Sequence, residues 1–322
     1  RAAIARYQPG NNTDLLKREV KIIEEKFSRN EYKYVPDDQL PINLSKITPS
    51  IRSQVGGPDG FYFGELAIAY HSELVLRKGL TLSTVATVGL YDTFDGLKLA
   101  SDSILPHVRT DIVQYLKNSR KGHIRHSSLS WFKQPYKNFY TKITGGILEE
   151  MFSGVGGEVL YRESFSNFGI GAELWWVQQR DYRMLFELRD YKTVTGHINL
   201  FYHEPKSNIV FAIKGGKFLA KDSGINFDIA RRFSSGLRLG VFFAKTDISE
   251  QEFGEGSFDK GFYFNIPIES LFGTYQRGLT PFGLRPIQRD GAAALNVQFP
   301  LWGVTDWKSS TTIFDSWDDF YD

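Results

Sequence analysis

Three glutamates around a glycine-rich stretch are the first candidates for chemistry in this sequence. The segment ILEEMFSGVGGEVLYR (147–162) holds Glu149, Glu150 and Glu158 close together. Glycoside hydrolysis requires two carboxyl groups at a fixed separation. Neighbouring residues of a strand point to opposite faces of a sheet, so Glu149 and Glu150 are not such a pair. The segment favours a polar channel wall or a hairpin end, with a Glu150–Glu158 pair as the enzymatic alternative.

The other residue types offer little for catalysis, metal binding or cofactor binding. The sequence has no Cys, and its six His residues, including His123 and His126, show no metal-ligand spacing. It lacks the G-x-S-x-G nucleophile motif, and neither GEGSFDKG nor GGPDG fits a phosphate-binding P-loop. We therefore predict no catalytic residue, no metal and no cofactor, and we expect that the protein is not an enzyme.

Charged residues also cluster where strands are predicted to end. The tripeptide Arg-Asp-Tyr occurs at Arg180–Tyr182 and again at Arg189–Tyr191, and a tight turn between the two copies would make their charges neighbours. Ion pairs at the rim of a sheet are the favoured interpretation, and a saccharide site is the alternative. The predicted rim or turn charges are Glu149, Glu150, Arg162, Arg180, Asp181, Arg189, Asp190, Asp259 and Lys260.

Alternation with a period of two dominates the chain from residue 61 onward. In FYFGELAIAYHSELVLRKG the even positions are mostly apolar, whereas the odd positions include Glu, His, Arg and Ala. The pattern recurs in roughly a dozen stretches separated by turn residues, for example KTVTGHINLFY, GLRLGVFF and AALNVQFPL. One amphipathic helix interrupts it near 104–118. Residues 61–302 are therefore predicted to form an antiparallel β meander.

Different patterns flank this region. Within residues 1–60, the stretch NNTDLLKREVKIIEEKFSRN has helical spacing, and an extended segment with Pro36 and Pro41 follows it. We interpret residues 1–60 as the end of a small α/β module, periplasmic or lumenal. Residues 303–322 are interpreted as a C-terminal strand or an acidic, aromatic tail.

Strand length and composition favour a membrane barrel over a soluble sandwich or propeller. Several stretches are long enough to cross a bilayer obliquely, and their apolar faces carry Tyr, Trp and Phe towards the ends. The net charge of +2 gives no reason to expect nucleic acid as a partner. The predicted fold is an antiparallel outer-membrane β-barrel, or the C-terminal half of a larger one. Its predicted lumen residues are Glu65, His71, Glu73, Glu173, His197 and Arg238.

Several stretches between Leu105 and Gly291 together resemble the YjbH/GfcD family of Gram-negative exopolysaccharide and capsule proteins. They are LPHVRTDI, LEEMFSGVGGEVLYR, QQRDY, RDYKTVTGH, RRFSSGLRLGVFFAKTDIS, EFGEGSFDKGFY and RPIQRDGAA. The resemblance implies an outer-membrane β-barrel, of which this chain corresponds to the C-terminal half. The implied partners are the secreted polysaccharide, outer-membrane lipids, a small outer-membrane lipoprotein, a periplasmic protein and a Wza-like polysaccharide export protein. The resemblance implies no catalytic residues.

The function expected from this resemblance is structural or transport-related. The protein would be an outer-membrane component of an exopolysaccharide or capsule secretion system in a Gram-negative bacterium, providing or supporting the exit path of the polymer. A hydrated lumen would contact a polar polymer weakly at many points. The alternatives are a polysaccharide-modifying enzyme and a soluble carbohydrate-binding β protein.

The assignment of alternate strand positions to the lumen generates a first prediction. Replacing Glu65 and Glu73 together with Leu is expected to impair barrel assembly or polymer export, because both side chains are assigned to the lumen. Secreted polymer and the amount of assembled protein are the measurements. Unchanged export would show that this face does not line the lumen, since a shift of register by one residue reverses the two faces.

Overall fold

The computed structural model describes residues 40–55, 59–98, 101, 103–164, 166–233, 237–249, 252, 258–267, 281–284 and 289–306. The helix predicted in NNTDLLKREVKIIEEKFSRN lies outside these residues, as does most of the predicted α/β module. The part of the predicted C-terminal strand or tail that follows residue 306 also lies outside them.

In the described part of the chain, thirteen antiparallel strands form one sheet in which each strand pairs with the next. The predicted all-β antiparallel meander is therefore confirmed. The strands are β1 (Ile42–Val55), β2 (Tyr62–Arg77), β3 (Leu80–Asp92), β4 (His123–Tyr136), β5 (Phe139–Ile147), β6 (Phe152–Tyr161), β7 (Phe168–Arg180), β8 (Leu188–Glu204), β9 (Ile209–Lys217), β10 (Ser223–Arg232), β11 (Arg238–Thr246), β12 (Asp259–Pro267) and β13 (Pro281–Leu284).

Among the described residues, helical structure is limited to short segments. The α-helices are α1 (Ile112–Asn118) and α2 (Leu301–Val304), and single 3-10 turns occur at Phe94–Gly96 and Ser119–Lys121. Helix α1 lies within the helical insertion predicted near 104–118. Over the part of the chain that the structure describes, no helix has both the length and the apolar composition to cross a membrane.

The sheet is open but curled. Strands β1 and β13 each pair with a single neighbour among the described strands. Arg52 of β1 nevertheless forms an ion pair with Glu150, in the turn between β5 and β6. Four strand spacings separate β1 from β5, which is about 19 Å in a flat sheet. The ion pair therefore requires that the sheet curl around the face that carries these side chains.

The two faces of the sheet have the reverse of the polarity of a soluble sheet. The convex, outer face exposes large apolar side chains, with Leu174 of β7 63% and Ile198 of β8 62% exposed. The concave, inner face buries polar side chains, with Lys142 of β5 1% and His197 of β8 4% exposed. The alternation predicted for β7 and β8 is thus oriented with its apolar positions outward.

Two segments of the chain lie inside the curl. The first is the connection between β3 and β4, which contains α1, and the second is the segment 289–306. Both contribute to an apolar cluster at one end of the sheet that includes Val108, Tyr115, Trp175, Leu219 and Leu295. The interior is therefore filled at this end by the protein's own chain.

Three predicted boundaries differ from the structure. Residues 42–55, expected to belong to the α/β module, form β1 and pair with β2 along its length. Residues 293–301, expected to form a strand, make no ladder, because their backbone groups bond to side chains of the inner face. Asp259 and Lys260, expected in a turn, are the first two residues of β12.

Close packing at one glycine of β6 generates the second prediction. Gly156 lies opposite Trp175, and a Cβ at position 156 would lie 2.3 Å from the carbonyl oxygen of Leu174 and 2.5 Å from the indole ring. Gly156→Ala is expected to lower the free energy of unfolding by about 1–3 kcal/mol, because the backbone of β7 and the buried indole have to shift. Urea unfolding followed by tryptophan fluorescence measures the change.

Gly145→Ala is the matched control on the neighbouring strand. A Cβ at position 145 would meet no atom closer than 3.6 Å, from the side chain of Val155. This substitution should leave the free energy of unfolding nearly unchanged. Equal losses for the two variants would contradict the packing explanation.

Candidate functional site

The segment 289–306 crosses the inner face from one end of the sheet to the other, and we call it the inner strap. It begins beside the turn between β9 and β10, where Leu219 N–H donates to Ala293 O at 2.9 Å. It ends beside the last residues of β6 and β10, where Asp306 pairs with Arg162 and Arg232. Charged side chains of the inner face hold it at three places along its length.

The first anchor joins the strap to the segment before α1. The Arg109 guanidinium donates to both carboxylate oxygens of Glu149, at 2.6 and 3.1 Å, and to Ala294 O at 2.7 Å. Asp290, a residue of the strap, accepts hydrogen bonds from the backbone N–H groups of Arg109 and Thr110 at 2.7 and 3.0 Å. Glu149 also accepts the N–H of Asn296 at 2.9 Å. The anchor therefore bonds the strap through both backbone and side chains.

The second anchor is a buried ion pair between β5 and β6. Lys142 Nζ donates to Glu158 Oε1 at 2.8 Å and to the carbonyls of Gln298 and Phe299 at 3.0 and 3.1 Å. Glu158 Oε2 accepts the N–H of Leu301 at 2.8 Å. The three protons of the ammonium thus all have acceptors. The buried pair is tolerated because both charged groups have hydrogen-bond partners. Loss of one charged partner would leave the other charge buried and uncompensated.

The third anchor surrounds α2. The Arg162 guanidinium lies over the Trp302 ring with 3.8 Å between its Cζ and the ring centroid. It donates to Trp302 O at 3.2 Å and to Asp306 at 3.3 Å. Burial alone would raise the pKa of Asp306, but Arg232 and Arg162 outweigh burial and lower it. Asp306 therefore stays ionised and holds the end of the strap.

A separate ion-pair cluster ties β1 to the turn between β5 and β6. The Glu150 carboxylate pairs with Arg52 and with Arg125 of β4, the latter at 2.8 Å. Burial acts to raise the pKa of Glu150, but the two guanidinium groups outweigh it and lower the pKa to about 2. Glu150 is therefore a structural anion at neutral pH.

A cavity of about 220 Å³ lies between the strap and the inner face of β8 to β12. Its polar wall includes Asn199, Asn226 and Asp228, and the rings of Phe201 and Phe242 supply an apolar wall. Half of the fourteen lining residues are charged or amide residues, so the cavity presents mainly polar surface to a ligand. The cavity is the candidate binding site of this part of the chain.

The six predicted lumen residues all lie on strands that border the interior. Glu65 accepts a hydrogen bond from Ser119 at 2.7 Å, and His71 bonds to Thr48 at 3.1 Å. Glu73 lies opposite Ser83 of β3. Most of these side chains have protein partners, and contact of any of them with polysaccharide stays a prediction.

The two lumen residues nearest the strap form one cluster with a lysine. The Glu173 carboxylate pairs with His197 at 2.9 Å and with Lys214 of β9 at 2.7 Å. Lys214 lines the cavity. The last lumen residue, Arg238, pairs at 3.5 Å with Asp228, which also lines it. Glu173 and Arg238 thus contact the cavity lining indirectly, through Lys214 and Asp228.

Two predicted rim charges are buried instead. Arg162 is held under α2 as described above. Arg180, at the end of β7, donates to the carbonyls of Ile124, Glu149, Glu150 and Leu185 at 2.8 to 3.2 Å. These four carbonyls lie on β4 and in the turns after β5 and β7, and they accept hydrogen bonds from the two terminal nitrogens of the buried guanidinium. Arg162 thus forms an ion pair with Asp306, whereas Arg180 bonds to backbone carbonyls, and both side chains are buried.

The two Arg-Asp-Tyr copies lie at adjacent strand ends but pair with the segment around α1. Asp111 accepts from Tyr182 at 2.7 Å and from Arg189 at 3.0 Å. Burial opposes ionisation of Asp111, but hydrogen bonds from Tyr182, His107 and Arg189 outweigh it and lower the pKa. Asp181 accepts the N–H of Arg183. The remaining charges are placed simply, with Asp190 and Lys260 exposed and Asp259 lining the cavity.

Sequence reasoning missed several residues on which the interior depends. They are Arg109, Asp290, Lys142, Trp302 and Asn199. Two of them had a usable signal, because Arg109 lies in LPHVRTDI and Asp290 in RPIQRDGAA, the stretches that carried the family resemblance.

The second anchor generates the third prediction. Glu158→Gln is expected to lower the free energy of unfolding by about 3–5 kcal/mol, because Lys142 keeps a buried, uncompensated charge. The strap should also become a site of cleavage in limited proteolysis. Glu163→Gln is the control, since Glu163 is exposed and bonds only locally to Tyr161. Equal protease resistance of the two variants would contradict the anchoring role.

A family model and a curated relative both match most of this chain. A model of the YjbH family, described as "Exopolysaccharide biosynthesis protein YbjH", matches residues 3–306. "Uncharacterized lipoprotein YjbH" of Escherichia coli (strain K12) is 33% identical over 270 residues, which cover 82% of this chain and 38% of that protein. The chain therefore spans well under half the length of this curated relative.

A solved structure, "Salmonella typhi OmpF complex with Daunomycin", is similar at 11% identity and a TM-score of 0.33, covering 69% of this chain and 82% of its own. A likeness at this level supports no inference about function. The family match is different in kind, because it includes the sheet, the anchors and the whole inner strap. This chain belongs to the YjbH family of exopolysaccharide biosynthesis proteins.

Proposed function

We propose that this chain forms part of an outer-membrane β-barrel in an exopolysaccharide or capsule secretion system. The observation that carries the proposal is the reversed polarity of the sheet, with apolar side chains exposed along its outer face. Exposed apolar surface of this extent is costly in water, whereas lipid is the natural surrounding of an outward apolar band on antiparallel strands. The family description supplies the link to exopolysaccharide.

This part of the barrel supports the exit path of the polymer rather than enclosing it. The inner strap and the α1 region occupy the described interior, and buried ion pairs hold the strap. Removal of one partner from such a pair costs about 3–5 kcal/mol. Displacing the strap to admit a polymer would separate Asp306 from Arg162 and Arg232, and it would also remove the strap carbonyls that accept from Arg109 and Lys142. The polymer therefore passes beside this interior.

The partners of this role are the secreted polysaccharide, outer-membrane lipids, a Wza-like polysaccharide export protein and a small outer-membrane lipoprotein of the same system. No catalytic step is part of the proposal. The carboxylates considered for glycoside hydrolysis, Glu150 and Glu158, are each occupied by cationic partners.

The outer face generates the fourth prediction. Leu174→Arg, near the middle of β7, is expected to destabilise the membrane-inserted protein by about 2–4 kcal/mol, because the charge would enter the hydrocarbon region. Assembled protein in outer-membrane fractions and secreted polymer should both fall. Carbonate-washed membranes and the mobility of unheated protein on gels are the measurements.

Phe186→Arg is the matched control. Phe186 is 77% exposed, but it lies in the turn between β7 and β8 rather than on a strand. This variant should assemble and support secretion as the parent does. The proposal fails if the full-length parent protein washes off the membrane with carbonate, or if Leu174→Arg assembles as well as Phe186→Arg.

A further inference from the structure

We propose that the cavity beneath the inner strap is a binding site for one neutral sugar residue. The inference rests on the proposed function for the choice of sugar as the ligand class. The cavity has a volume of about 220 Å³. It suits a single pyranose ring rather than a length of polymer.

The walls present two kinds of surface. Asn199, Asn226 and Asp228 supply polar atoms from two strands of the inner face. The Phe201 and Phe242 rings supply apolar surface, and Phe201 is fixed by stacking on Trp302 with ring centroids 4.7 Å apart. A sugar ring has hydroxyl groups at its edge and C–H groups on its faces. The two kinds of surface match those two parts of the ring.

The lining carries charges of both signs, so a charged ligand of either sign would face like charges. Asp228 and Asp259 would face an anion, and Arg109, Lys214 and Arg289 would face a cation. Lys214 and Asp228 are already paired with Glu173 and Arg238. A ligand whose hydroxyl groups both donate and accept satisfies such a mixed lining without adding charge.

One atom of the lining lacks a partner in the described part of the chain. Asn199 is 8% exposed, and its Oδ1 has no hydrogen-bond donor among the described residues. A buried acceptor without a donor is costly. A hydroxyl group of a ligand in the cavity would supply the missing donor. The unpaired acceptor therefore points to a ligand independently of the shape of the cavity.

The strap shapes the remaining wall. Ala292, Ala293 and Ala294 line the cavity with small side chains, and Ala292 has a φ of 60°, which an alanine rarely adopts. Its N–H donates to Asp222 Oδ2 at 2.7 Å, which holds that backbone in place. The stretch RPIQRDGAA, whose last residues form this wall, thereby has a binding role as well as an anchoring role.

Calorimetric titration of the purified full-length protein in detergent tests the proposal. Methyl glucopyranoside is the neutral probe, and methyl glucuronide and methyl glucosaminide are the anionic and cationic probes. The neutral probe should bind with a millimolar Kd, and both charged probes should bind several-fold more weakly. Asn199→Leu, which keeps the size of the side chain, should weaken binding of the neutral probe about 10-fold.

Thr193→Val is the control for the fold. Thr193 is buried on the same face of β8, and its side chain does not line the cavity. It should bind the neutral probe as the parent does. The absence of binding by the parent, equal binding of all three probes, or equal binding by Asn199→Leu would each overturn the inference and leave a water-filled cavity.

The outcome is separable from that of the proposed function. Loss of sugar binding with intact outer-membrane fractionation and polymer secretion overturns the cavity site alone. Sugar binding by a protein that washes off the membrane keeps the cavity site and overturns the barrel proposal.

Discussion

A buried ammonium–carboxylate pair, Lys142 with Glu158, is the contact on which the interior of this molecule depends. It joins β5 to β6 and at the same time bonds three backbone groups of the inner strap. Both charged groups are buried, so the backbone groups of the strap supply hydrogen bonds that water would otherwise supply. The strap and the sheet are consequently one structure, and each is incomplete without the other.

The same constraint explains the polarity of the whole sheet. An outward apolar face leaves the inward positions to polar side chains, and every buried polar group then requires a partner. The α1 region and the strap supply those partners, through Asp111 at one end and Asp306 at the other. Stretches that carried the family resemblance are largely the places where these partners meet, which gives a physical reason for their specific sequences.

The sequence alone predicts the strands well because alternation is a local signal. The sequence correctly predicts which residues of β7 and β8 face inward, including Glu173 and His197. The same signal misassigned residues 293–301, which alternate but bond to side chains. Arg162 and Arg180 look like rim charges next to turns, and their burial depends on residues far along the chain. A single sequence contains no record of such distant pairs, so the anchors and the cavity could not be predicted.

The position of the strap in the chain has a consequence for folding. Lys142 and Gln298 are separated by 156 residues in sequence, and the strap follows every strand that it touches. Contacts of such long sequence separation form slowly, because a large loop has to close first. We therefore expect the contacts of the strap to be among the last to form, after the strands that carry Lys142 and Glu158 have paired.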